Sequence, residues 1–288
     1  MPFMPPKEYK TEAKPIWCPG CGDFAVLAAL YQAFSALDMD PTKTVIVSGI
    51  GCSSRLPVFI KSYGFHTVHG RTLPVATGIK MANPDLTVMA MGGDGDAFAI
   101  GGGHIPHAAR RNVNITYVVM DNFIYGLTKG QTSPTTGTKD GQGHGFKLTK
   151  TNPNGQYEDP LNPLAMLLTY GASFVARGYS AKPKQLAELY QAAIAHQGFS
   201  FIQILSPCVV FNKTYDELDA AITPLEGQHD PTDFRAAMDL ALDTDNEHLG
   251  IFYQQQRPTL DDRINEMISP MAPEDRAGNL NKLFTKYQ

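Results

Sequence analysis

The chain has 288 residues, room for one large domain or for one domain with an appended segment. Hydrophobic residues make up 43% and charged ones 18%, enough for a sizeable buried core, and a net charge of -4 excludes the broad basic footprint of a nucleic-acid-binding protein. No run approaches the roughly 20 apolar residues of a membrane helix, and Met1 to Pro15 lacks the apolar stretch of a secretory signal, so the expectation is a cytoplasmic protein with no membrane and no nucleic-acid partner.

Residues 1–17 read as an irregular arm ending in Pro15-Ile16-Trp17. Cys18-Pro19-Gly20-Cys21-Gly22 predicts a tight turn, with Asp23 as the N-cap of an amphipathic helix over Phe24 to Leu37. Thr44 to Ser48 (TVIVS) is a β-branched run that exits into glycines, as a buried parallel strand does. Leu86 to Met91 (LTVMAM) is a second such run, exiting at Gly92-Gly93. A helical segment over His104 to Arg111 follows, its Arg110-Arg111 pair reading as a solvated helix end. Ile115 to Met120 (ITYVVM) predicts a third strand, leading into Asp121-Asn122. Residues 128–160 are rich in Gly, Thr, Pro, Asn and Lys without a sustained period, the mark of a functional or mobile loop. Ser173 to Ala176, a helix from Lys184 to His196, and Phe199 to Leu205 repeat the strand–helix–strand rhythm. Beyond 213 the chain turns polar, with helical stretches over Asp233–Leu242 and Leu260–Met267.

Strands alternating with helices predict an α/β fold: a mostly parallel sheet with helices on both faces over 1–212, plus a polar C-terminal tail over 213–288 that packs on a partner. In such folds ligands sit beyond the carboxyl ends of the strands. Gly92-Gly93-Asp94-Gly95-Asp96 leaves one strand and Asn122 ends the next, so parallel neighbours ending together bring Asp94 beside Asn122. A carboxylate, an amide oxygen and a nearby carbonyl are hard ligands suited to Mg²⁺, which completes its shell with phosphate oxygens and water. The glycines let backbone N–H groups approach a diphosphate at a helix N-terminus. No G-x-G-x-x-G follows the first strand, which disfavours a dinucleotide site.

Cysteine occurs four times, at Cys18, Cys21, Cys52 and Cys208. In a reducing compartment disulfides are not expected, and four thiolates suit either Zn²⁺ or a [4Fe–4S] cluster. Cys52 lies in the glycine-rich exit of the first strand and Cys208 follows the last one, at the edge where Asp94 sits. A metal centre beside a diphosphate cofactor points to electron transfer rather than structural bracing.

The segments WCPGCG (17–22), GIGCSS (49–54), HGR (69–71), GGDGDAFAIGG (92–102) and DNFIYGLTKGQTSPTT (121–136), in this order, resemble the beta subunits of 2-oxoacid:ferredoxin oxidoreductases, over about two-thirds of the chain. HGR and IYGLTKGQTSPTT make it most similar to the 2-oxoglutarate type. The resemblance implies thiamine diphosphate, with Mg²⁺ held by Asp94, Asn122 and the backbone of Ile124. It implies a [4Fe–4S] cluster on Cys18, Cys21, Cys52 and Cys208. Cofactor contacts are expected from Ser53, Ser54, His69, Gly70, Gly93, Gly95 and Asp96 on one side, and from Tyr125, Gly126, Leu127 and Thr128 on the other. His69 is the candidate polar group near the reacting carbon; Arg55 would meet the distal carboxylate of the substrate, and Leu127 would help shape its pocket. The implied reaction is reversible oxidative decarboxylation of 2-oxoglutarate to succinyl-CoA, with coenzyme A and ferredoxin as partners. An alpha subunit would supply the glutamate that activates the cofactor. Pyruvate or another 2-oxoacid as substrate, or a non-redox thiamine enzyme with zinc in the thiolate site, are the alternatives.

Overall fold

A computed structural model describes residues 4–145, 148, 150–225, 227–268, 282 and 284–287. Parts of the predicted loop (146, 147 and 149) and of the predicted tail (226, 269–281, 283 and 288) lie outside the described residues. In chain order the elements are α1 (Asp23–Ala36), β1 (Thr44–Ser48), β2 (Tyr63–His66), α2 (Thr72–Ala82), β3 (Thr87–Gly93), α3 (Asp94–Phe98), α4 (Ile105–Arg111), β4 (Ile115–Asp121), β5 (Ile124–Tyr125), β6 (Gln131–Thr132), α5 (Pro163–Thr169), β7 (Phe174–Tyr179), α6 (Pro183–Ala195), β8 (Phe199–Leu205), α7 (Tyr215–Ala221), β9 (Ile222–Pro224), α8 (Phe234–Ala241), β10 (Glu247–Gln254) and α9 (Leu260–Ile268).

The main sheet has eight strands in the order β2-β1-β3-β4-β8-β7-β10-β9. All its pairings are parallel except β10 with β7. The central strands are largely buried and mostly apolar because both faces are covered, and alternate residues serve two different cores. Val45, Val47, Val88, Ala90, Tyr117 and Val119 pack with α2, α4, α5 and α8. Ile46, Met89, Met91, Val118 and Met120 point the other way, onto α1 and α6. Each fully buried valine, isoleucine or methionine among them contributes on the order of 1.5–3 kcal/mol of transfer free energy.

Register brings the functional segments to one edge. Ser48 pairs with Met91, Gly93 with Met120, and Asp121 with Leu205. Parallel strands with matched ends therefore release the segments at 49–52, 94–96, 122–128 and 206–208 side by side.

Several boundaries differ from the sequence reading, each for a local reason. Helix α1 begins at Asp23 itself with Gly22 as cap residue, and Asp23 is buried, accepting the Ser206 hydroxyl at 2.8 Å instead of capping. Helix α2, with Pro74 and Gly78 in its sequence, carried too weak a helical signal to be anticipated. Near the start of the polar loop β6 pairs with β5, which precedes the loop, as a two-stranded ribbon. Past residue 212 the sheet continues: β10 pairs with β7 and β9 with β10, so the first part of the C-terminal segment completes the sheet. Among the described residues no helix is long and apolar enough to cross a membrane.

Candidate active site

Strand β3 passes directly into the short helix α3, with Gly93 at its cap in extended conformation. Gly95 is required by close approach: a Cβ there would lie 2.3 Å from the Tyr125 ring, whose hydroxyl donates to the Gly95 carbonyl at 3.2 Å. Asp94 is 1% exposed. The Thr135 hydroxyl stands between it and a second buried carboxylate, at 3.2 Å from Asp94 and 2.8 Å from Asp121. Burial, and next to it the charge of Asp121, push the Asp94 carboxyl well above the usual range. Asp121 is likewise raised by burial. Two buried carboxylates sharing one hydroxyl are a place where a cation belongs. Beside them the Asn122 amide oxygen accepts the Ile124 N–H at 3.1 Å, in a turn where Phe123 adopts φ 63°. The chain thus presents an acidic and an amide oxygen, the donor set a divalent cation takes.

Asp96 has a different task. Its carboxylate accepts the N–H groups of Ile50 at 2.9 Å and Gly70 at 2.8 Å and the Thr72 hydroxyl at 3.3 Å, and lies 3.1 Å from His69 Nδ1. It knots the loops after β1 and β2 to the start of α3. A Cβ on Gly49 would fall 1.9 Å from this tethered carboxylate, which explains that glycine. The predicted cofactor contact at Asp96 is thus a group already engaged by protein donors, although it still lines the cleft.

The cleft has a volume of about 330 Å³ and is lined by Ser53, His69, Gly93 to Asp96, Asn122 and Ile124 to Thr128, all nominated from the sequence, together with Cys52 and the unanticipated Ile50 and Gly51. Ser54 is fully buried and Gly70 donates to Asp96, so neither is a lining residue. Arg55 is exposed and also outside the lining, but its charge acts on neighbouring Cys52.

All four cysteines are free of disulfides, Cys18 exposed and the others half-buried. Cys21 feels the charges of Cys52 and Cys208, and Cys52 those of Cys18 and Cys208, so the turn at 18–22, the exit of β1 and the segment after β8 converge. Burial, reinforced by Asp23, raises the Cys21 thiol strongly and pushes Cys52 up to about 11. Such thiols ionise readily only against a positive metal centre. Gly22 allows the approach, since a Cβ would lie 2.6 Å from Ser206 Oγ and 2.7 Å from Ser180 Oγ. Trp17 braces the site by donating its indole N–H to the Cys52 carbonyl at 2.7 Å. Among the described residues no three His, Cys, Asp or Glu side chains are gathered closely enough for one metal ion.

A polar chain that sequence reading missed runs from this edge to the surface. Asp121 accepts from Gln203, Gln203 from Arg177, and Arg177 pairs with Glu247. His144 bridges Glu217 at 2.8 Å and Glu247 at 2.7 Å. Burial opposes its charge, but the hydrogen bonds and charges of the two glutamates outweigh that and raise His144 to about 9. A histidine raised above its ordinary value near 6.5 adds stability that is complete below that pH and vanishes as pH rises through about 9. The thermal midpoint of the wild type is therefore expected to fall between pH 6.5 and 9 relative to His144→Gln. Parallel curves for the two proteins would refute the bridge.

Residues 49–204, more than half of the chain, match the family model of the thiamine pyrophosphate enzyme C-terminal TPP binding domain. Residues 208–268 match the model of the C-terminal part of the pyruvate ferredoxin oxidoreductase beta subunit. A 2-oxoacid:ferredoxin oxidoreductase subunit beta of Aeropyrum pernix is 40% identical, over 91% of this chain and 87% of its own length. A 2-oxoglutarate synthase subunit KorB of Methanothermobacter marburgensis is 36% identical over 95% of this chain and 93% of its own. Among solved structures, 2-oxoglutarate:ferredoxin oxidoreductase from Magnetococcus marinus, with 2-oxoglutarate, coenzyme A and succinyl-CoA bound, superposes with a TM-score of 0.91 at 45% identity, covering 97% of each chain.

Proposed function

This chain belongs to the beta subunits of the 2-oxoacid:ferredoxin oxidoreductases, and from that premise we propose that it carries both thiamine diphosphate with Mg²⁺ and a [4Fe–4S] cluster, and acts on 2-oxoglutarate. Family membership makes it an oxidoreductase subunit with a thiamine-diphosphate-binding domain, working beside an alpha subunit. Cys52 carries the reading: it lines the cleft with Asp94 and Asn122 and is also electrostatically coupled to Cys18 and Cys208. A cleft and a thiolate set that share one residue suit a reaction whose electrons pass from one to the other.

Bound there, thiamine diphosphate would supply an electron sink for decarboxylation, and a cluster on the four cysteines a one-electron acceptor, with ferredoxin as the partner beyond it. Asp94, the Asn122 amide oxygen and the Ile124 carbonyl are assigned to Mg²⁺, and the glycines at 93 and 95 to the approach of the diphosphate. Tyr125 walls one side of the cleft. The Nδ1 of His69 is fixed against Asp96, which leaves Nε2 to hold or pass a proton near the reacting carbon. Leu127, 46% exposed on the cleft rim, shapes the substrate pocket, and Arg55, exposed beside Cys52 and outside the cleft lining, offers its charge to the distal carboxylate. Coenzyme A and the activating glutamate are assigned mainly to the alpha subunit, as is the contact made by the segment beyond β10. The bound 2-oxoglutarate of the Magnetococcus marinus structure and the name of the Methanothermobacter marburgensis relative favour that acid over pyruvate. A single zinc, with Zn–S of about 2.3 Å, needs thiolates packed more tightly than a cluster does.

The test is an anaerobic visible and paramagnetic-resonance spectrum, with iron and sulfide counts, on the chain copurified with its alpha subunit. Brown protein with about four irons that bleaches on adding 2-oxoglutarate and coenzyme A is the expected result. Bleaching with pyruvate alone overturns the substrate; colourless protein with one zinc overturns the redox centre.

A further inference from the structure

Asp121 is fully buried, and none of its oxygens is spare. Oδ1 accepts the Thr135 hydroxyl at 2.8 Å and the Phe123 N–H at 3.1 Å, and Oδ2 accepts Gln203 Nε2 at 2.8 Å. The arrangement is built by the sheet rather than by loops. Gln203 is the cross-strand partner of Val119 on β4 and of Arg177 on β7, and two residues on from Val119 puts Asp121 on the same face as Gln203. Gln203 Oε1 in turn accepts Arg177 Nε at 3.0 Å, and Arg177 pairs with Glu247.

Thr135 has one hydroxyl proton to give, and the shorter contact is to Asp121, at 2.8 Å against 3.2 Å. Asp94 then meets the hydroxyl's lone pairs, and its remaining partners, Ser133 and the Asn122 backbone, carry no charge to answer its own. A fold that buries a second carboxylate beside it, and answers that one with neutral donors and a distant guanidinium, concentrates negative charge where a divalent cation would sit.

We propose that Asp121 is a positioning residue of the metal–diphosphate site: a non-ligating carboxylate, hung from Arg177 through Gln203, whose charge strengthens the cation held by Asp94. The inference rests on the assignment of Mg²⁺ to Asp94, Asn122 and Ile124. It also gives the SPTT end of the 121–136 motif a task, since Thr135 spaces the two carboxylates while the Thr136 hydroxyl donates to the Phe123 carbonyl and accepts the Ser133 N–H at 2.8 Å, holding that turn.

The experiment measures, by calorimetry on the alpha–beta enzyme stripped of cofactor and metal, the Mg²⁺ concentration that half-saturates thiamine diphosphate binding. Asp121→Asn is expected to raise it about tenfold, the low end of what outer groups contribute to metal affinity. The double variant Asp121→Asn/Gln203→Glu restores the hydrogen bonds, since the carboxylate introduced on β8 can accept from both the new amide on β4 and Arg177, but holds the charge one side chain farther from the cation. It is expected to recover the wild-type thermal midpoint while keeping the raised Mg²⁺ requirement. Wild-type Mg²⁺ dependence in Asp121→Asn, or recovery of both properties in the double variant, would reduce Asp121 to a structural group. Asp94→Asn separates the two levels: if it binds thiamine diphosphate with an unchanged Mg²⁺ dependence, the metal assignment itself falls.

Discussion

Asp94→Asn is expected to weaken metal-dependent thiamine diphosphate binding by more than about 100-fold, beyond the loss typical of outer groups, while making the cofactor-free protein melt higher. Both effects come from the same geometry. Asp94 is the buried carboxylate left without a full answer to its charge, wedged against Asp121. Its carboxyl is raised by burial and then by that neighbour, so at neutral pH the ionised form works against folding. An amide of the same shape removes the repulsion and the anionic ligand together, leaving only a neutral oxygen. A lower melting point would show that Asp94 is structural, and retained metal-dependent binding would show that the cation is held elsewhere. Gain of stability with loss of binding is the pattern expected where a site is shaped for a ligand rather than for the fold.

Replacing Cys52 with serine is expected to lower iron in the copurified enzyme from about four per chain to below about one, and at the same time to disturb thiamine diphosphate binding. Cys18→Ser is expected to remove the iron as completely while leaving cofactor binding intact, because Cys18 is exposed and does not line the cleft. The contrast follows from position: Cys52 is the residue the cleft and the thiolate set have in common. Without a metal centre its thiol is raised to about 11, chiefly by burial, and it would stay protonated and uncharged. Full iron in the Cys52 variant would remove it from the ligand set. Equal effects of the two variants on cofactor binding would break the link between cleft and cluster.

Much of the site was legible because its chemistry is local in the chain. Gly93, Asp94 and Gly95 leave one strand, Asn122 ends the next, and the residues at 124–128 follow within one turn; all line the cleft. Strands β1 and β8 have the bounds their runs predict, since both faces are buried along their whole length and even their polar residues lie inside. Where local signals were weak, elements were missed. Helix α2 contains a proline and a glycine, and β10 is interrupted by Gly250 at φ 140° and a register shift. Asp96 sits in the motif and lines the cleft, as a cofactor contact would, but what holds it was not legible. Its donors come from Ile50, Gly70 and Thr72, distant in the chain, and no local pattern announces that knot.

The sequence by itself determined the α/β class, the edge at which the cleft lies and the residues at 93–95, 122 and 124–128 that line it, because strand ends and glycine exits are written in consecutive residues. Only the tertiary structure decided which carboxylates meet. Asp121 faces Gln203, Gln203 faces Arg177, and Arg177 reaches Glu247 because β4, β8, β7 and β10 are neighbours in that register. Strand order depends on how whole layers pack and close over the two cores. Charge balance at a buried site follows that order, since a partner two strands away acts through the low-dielectric interior and leaves no mark on local sequence.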